Sequence, residues 1–107
     1  MTDRKLLELA AKAAGMGGFD FLNTQMGKFW VSKHGYWNPL TDDGDALRLA
    51  VKLKMRIGID SLQEGFVIVM SSDKLTPDTH ETINNDIYTA TRKAIVRAAA
   101  KIGEKEQ

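Results

Sequence analysis

The chain has no cysteine, two prolines and two histidines among its 107 residues, and its formal net charge is +1. Each shortage removes a class of explanation. Without cysteine there is no disulfide framework, no thiol nucleophile and no thiolate-held zinc. A nearly balanced charge creates no global field that would commit the surface to nucleic acid or to an anionic membrane. No apolar run is long enough to cross a bilayer. The opening MTDRKLLELAAKAAG is broken by charge at Asp3, Arg4, Lys5, Glu8 and Lys12, unlike the apolar core of a signal peptide. The expected setting is cytoplasmic, with no membrane partner.

What is present suits one packed core, since 43% of the residues are hydrophobic and 27% charged. Leu6, Leu9, Ala10 and Ala13 recur at helical spacing, widened by Leu7. They predict a helix near 3–14 that Gly15, Gly17 and Gly18 stop. FDFL and KFWVS read as strands at about 19–22 and 28–32 joined by NTQMG, with Trp30 on the face opposite Phe29 and Val31. In YWNPLTDDGDALRLAVKL (36–53), Pro39 disfavours helix at Asn38, so a helix over 42–52 begins after it. Thr41 or Asp42 can cap that helix, and Asp45 stands three residues beyond Asp42. Ala46, Leu47, Ala50, Val51 and Leu53 make a stripe wide enough to face a core.

The period then changes. Strict alternation over 53–60 sets Leu53, Met55, Ile57 and Ile59 against a basic outer face, a half-buried strand. FVIVM predicts a strand over 65–71 covered on both faces and paired with 53–60 as an antiparallel hairpin. Thr76-Pro77 can open a long helix over 77–102, with Ile83, Ile87, Ala94, Ile95, Ala98 and Ile102 on one face. Gly103 would stop it, leaving 103–107 as a flexible tail. The order α-β-β-α-β-β-α implies a single α+β domain over 1–107. Its expected form is a mostly antiparallel four-stranded sheet packed against helices, a sandwich.

Motifs for chemistry are incomplete. Asp42, Asp43 and Asp45 could suggest a calcium loop, but the twelfth position counted from Asp42 is Leu53, not a bidentate acid. Helix capping accounts for all three, so no metal site is expected. Gly15, Gly17 and Gly18 follow a helix, whereas a dinucleotide fingerprint follows a strand. Gly27-Lys28 lacks both the first P-loop glycine, replaced by Leu22, and the following Ser or Thr, replaced by Phe29. HETIN at 80–84 ends in Asn84 where a zinc-protease helix needs its second histidine. His34 with Ser32 is conceivable as a base–nucleophile pair, but the sequence gives no positive reason for it. No catalytic residue and no cofactor is expected, and the chain reads as a non-enzyme.

Two surfaces remain. Lys93, Arg97 and Lys101 form an i, i+4, i+8 stripe with Arg92 nearby. Together with Lys52, Lys54 and Arg56 they could follow phosphates in a nucleic acid, although solvated cations near a helix C-terminus are the commoner reading. Trp30, Tyr36 and Trp37 are candidates for protein contact, as aromatic anchors favour interfaces. A homodimer through a sheet edge or the long helix is also open.

WNPLTDDGDALRLAVKL at 37–53, preceded by an N-terminal LLELAAKAAG helix, resembles the phage ABA sandwich domain family of small bacteriophage and prophage proteins. The family pattern often carries Gly after AVKL, where this chain has Lys54. The resemblance implies a sandwich fold and a bacterial host cytoplasm. It implies no activity and brings no catalytic residues with it. The expected function is that of a protein-interaction module for a host or phage protein, with nucleic-acid binding as the alternative and a small hydrolase-like enzyme the least favoured.

Overall fold

The computed structural model describes residues 2–16, 20–24, 27–32, 35–60, 65–70, 79–83 and 86–105, with backbone alone at 20–24, 27–32 and 35. In chain order the elements are α1 (Asp3–Ala13), β1 (Asp20–Thr24), β2 (Gly27–Ser32), β3 (Gly35–Trp37), α2 (Asp43–Lys52), β4 (Arg56–Asp60), β5 (Phe66–Met70), β6 (Thr79–Thr82) and α3 (Ile87–Lys105). The α+β class is as expected: among the described residues there are three helices, and the strands pair antiparallel throughout. Both expected hairpins form, β1 with β2 and β4 with β5. The four strands expected in one sheet are instead six among the described residues, in two sheets of order β1-β2-β3 and β4-β5-β6. The additional strands are GYW and THET, too short or too polar for a period-2 pattern to register.

The stretch 79–82 was expected in the last helix, and the difference has a tertiary cause. Thr79 is buried and its hydroxyl donates to the Ala94 carbonyl at 2.8 Å, a bond between residues fifteen apart that no local pattern reveals. The helix starts after Asp86. The Asp86 carbonyl accepts from the Ala90 N–H at 3.1 Å, Oδ1 accepts from the Tyr88 N–H at 2.9 Å, and Oδ2 from the Thr89 hydroxyl at 2.6 Å. The Thr89 hydroxyl is the main reason that the Asp86 carboxyl lies below the usual carboxylate range, helped by the N–H groups of Thr89 and Tyr88. The expected Thr76-Pro77 cap lies outside the described residues.

The first two helices end in the same way. After α1, the Gly15 N–H donates to the Lys12 carbonyl and the Met16 N–H to the Ala11 carbonyl, both at 3.0 Å. After α2, the Lys54 N–H donates to the Val51 carbonyl at 3.1 Å and the Met55 N–H to the Ala50 carbonyl at 3.0 Å. This is the Schellman closure, which needs a left-handed residue at the turn, and in both cases the methionine after it packs against the core. Gly15 supplies φ 71 freely, but Lys54 adopts φ 54 with a side chain. That conformation costs about 1–2 kcal/mol outside glycine. Because 53–55 form this closure, the strand expected from 53 begins only at Arg56.

The core is a continuous cluster that includes Leu7 and Ala10 of α1, Trp37, Ala46 and Leu49 of α2, Val67 and Val69 of β5, and Ala94, Ile95 and Val96 of α3. Helix α3 packs against α1 most extensively, and also against α2, β5 and β6. Gly103, expected as a stop and the start of a tail, is buried inside α3, and the helix runs on to Lys105. A Cβ at Gly103 would lie 2.1 Å from the Leu9 carbonyl oxygen, so the two backbones touch there. FVIVM was expected to be covered on both faces. Val67 and Val69 are fully buried under the helices, whereas Phe66, Ile68 and Met70 are half-buried on the other face, where Phe66 stacks on His80 at 4.8 Å.

Three outcomes test this description. Gly103→Ala destabilises the fold by about 3 kcal/mol, because it overpacks a backbone contact, whereas Gly→Ala inside an open helix would stabilise; urea unfolding reads the sign. Lys54→Gly raises stability by roughly 0.5 kcal/mol, the left-handed relief less the added freedom of a glycine in the unfolded chain, with an unchanged urea slope. Asp86, with its folded pKa depressed, adds stability above its unfolded pKa and loses it as pH falls through the folded value. An Asp86→Asn chain therefore shows a flatter unfolding free energy in that acid range.

Candidate interaction groove

The acids of 42–45 are occupied in building the start of α2. Asp42 caps the helix, its Oδ2 accepting from the Asp45 N–H at 2.7 Å. Asp45 accepts from the Asn38 N–H at 2.9 Å through Oδ2 and from Arg48 Nη2 at 2.7 Å through Oδ1. Asn38 is buried. Its carbonyl accepts from the N–H groups of Thr41 and Asp42, and its side-chain oxygen from the Leu40 N–H at 3.0 Å. Asp43 pairs with Arg92 of α3 at 2.5 Å, and the same guanidinium donates to the Leu40 carbonyl at 2.9 Å and to the Thr89 hydroxyl at 3.0 Å. The arrangement ties the turn before α2 to α3.

The basic residues are thus not alike. Arg92, expected on the exposed cationic surface, is largely buried, with its side chain 16% exposed, and committed to that turn. Arg97 forms an ion pair with Glu81 of β6. Lys52, Lys54 and Arg56 are exposed around the α2–β4 joint, and Lys93 and Lys101 along α3. Beside that helix, a groove of about 430 Å³ includes Glu81 and Glu104 as well as Arg97 and Lys101, so the surroundings of the stripe are of mixed sign.

The aromatic candidates divide as well. Trp37 is 7% exposed and belongs to the core, which removes it as an exposed anchor, whereas its neighbour Tyr36 is 67% exposed. Trp30 stands opposite Trp37 in the β2–β3 register, and its side chain lies outside the described part of the structure. His34 also lies outside it. His80 sits on strand β6 rather than on a helix, so the protease-like spacing has no helical face to act from. Among the described residues, no three His, Asp or Glu side chains gather as metal ligands. Nor does any described helix have the length and apolarity to cross a membrane.

Residues expected in the core form an exposed apolar surface instead. On α2, Ala46, Leu49 and Ala50 are buried, but Leu47 and Val51, one turn apart, point outward. Ile57 and Ile59 of β4 stand opposite Val69 and Val67 and so share the helix-facing side of the sheet. Helix α3 lies over β5 and β6, which leaves β4 at the margin. Ile59 is consequently 53% exposed, and Tyr88 at the start of α3 is exposed beside it. Leu47, Ile57, Ile59 and Tyr88, with Ile87 and Ile95, line a groove of about 430 Å³ whose polar rim includes Asp43, Thr91 and Arg92. Sequence reasoning missed it because helical or alternating spacing identifies an apolar face but not what stands opposite that face. No protein-family model, curated protein or solved structure matches this chain.

Proposed function

We propose that the protein is a non-enzymatic protein-interaction module whose contact surface is the apolar groove between α2, α3 and β4. The observation that carries this reading is the exposure of Leu47, Ile57, Ile59 and Tyr88 around one concavity. Contiguous apolar surface with a polar rim is costly to leave in water and is the usual mark of a site for another macromolecule. The resemblance of WNPLTDDGDALRLAVKL to the phage ABA sandwich family supports a phage or prophage protein that works in a bacterial cytoplasm on a host or phage protein. The half-buried apolar face of Phe66, Ile68 and Met70 supports the sandwich, since a further layer would cover it. The acid partners of Arg92 and Arg97 weigh against a phosphate-following stripe.

Immobilised protein exposed to bacterial lysate, with and without nuclease, tests the reading. The expected result is capture of a protein that survives nuclease and is lost on Leu47→Asp with Tyr88→Ser. Both sites are more than 60% exposed, so that variant keeps the fold. Material lost to nuclease, and lost again on charge reversal at Lys93, Arg97 and Lys101, overturns the proposal in favour of nucleic-acid binding.

A further inference from the structure

We infer that the β4 edge beside this groove takes a second copy of the chain, joined by antiparallel pairing of two β4 strands about Gly58. The inference rests on the groove region being a contact surface and adds a self-partner at its β4 margin. β4 is an edge strand, and no described strand pairs with its outer side. Natural edges are commonly blunted by proline, by lysine or by a charge on the inward face. β4 has none of these on its helix-facing side, where it presents only Ile57 and Ile59.

The sequence of the strand selects the occupant. Arg56-Ile57-Gly58-Ile59-Asp60 is complementary to itself when reversed. With Gly58 opposite Gly58, Arg56 meets Asp60 of the second copy at both ends, and Ile57 meets Ile59 of the second copy at both inner positions. Moving the register by two residues keeps one isoleucine pair and loses both ion pairs. A slip of one residue sets isoleucines against the opposite face. Only the centred register satisfies charge and apolar matching together, and it generates the isologous two-fold interface of most small dimers. The four isoleucines then form a continuous strip on the helix side, next to Leu47 of each α2. Gly58 fits the axis without strain. Its missing Cβ leaves room for Ile68 of the same sheet, which a side chain there would meet at 3.1 Å.

The chain has no cysteine of its own, so the register can be read by cross-linking. Ile57→Cys and Ile59→Cys proteins are prepared separately, then oxidised alone and as a mixture. The centred register brings 57 opposite 59 and leaves 57–57 and 59–59 on the diagonal, beyond disulfide reach. The expected result is a disulfide-linked dimer in the mixture, with loss of that product in either protein alone. Sedimentation of the unsubstituted chain shows a concentration-dependent dimer, and Ile59→Lys abolishes it while the circular dichroism is unchanged. A chain that stays monomeric, a dimer indifferent to Ile59→Lys, or equal cross-linking in all three samples overturns the inference. Capture of a different protein by a monomeric chain refutes the dimer while leaving the interaction reading intact, so the two failures are distinguishable.

Discussion

The backbone contact between α1 and α3 is the constraint on which the other packing depends. Two helices approach this closely only where side chains are small at the crossing, and Gly103 meets the Leu9 carbonyl there, with Ala10, Ala11, Ala99 and Ala100 buried nearby. Small residues bury little area each, so the bulk of the core comes from elsewhere: Leu7, Trp37, Leu49, Val67, Val69, Ile95 and Val96. Once α1 holds α3, the long helix has fixed flanks to offer. It lies over β5 and β6 on one side and meets α2 on the other.

The 36–45 stretch acts within that frame. Its three acids, its buried asparagine and its proline make a turn whose backbone groups are satisfied locally, and Arg92 fastens the turn to α3 through two bonds, to the Leu40 carbonyl and to Asp43. Each of the two ion pairs here joins one shielded group to one exposed group, Arg92 at 16% exposed with Asp43 and Asp45 at 14% exposed with Arg48, so solvent screens both. The densest motif in the chain is therefore architecture. Carboxylates already committed to N–H groups and guanidinium ions are poor candidates for general acid–base work, which needs a group free to exchange its proton with a substrate.

The groove arises from the same geometry by omission. α3 is placed by its contact with α1, and its footprint ends before β4. α2 turns Ala46, Leu49 and Ala50 to the core, which leaves Leu47 and Val51 on its outer side. Apolar residues that obey the local pattern but lack an intramolecular cover are a conflict between levels, and such conflicts concentrate at sites of function. Here the conflict involves two elements, α2 and β4, on one surface.

Local chemistry determined much of this protein. Asp42 after Asn38-Pro39 was readable as a helix start because capping and the pre-proline restriction act within a few residues. The β4–β5 hairpin was readable because alternation and β-branching span a single turn. Tertiary structure decided the rest. Thr79 became part of a strand through a bond to Ala94, Gly103 became a crossing point through contact with Leu9, and Trp37 went inside while Tyr36 stayed out. Which side of α2 and β4 would meet solvent depended on where α3 came to rest. That position is set by helix–helix contact across some ninety residues of chain, a distance at which spacing along the sequence carries no information.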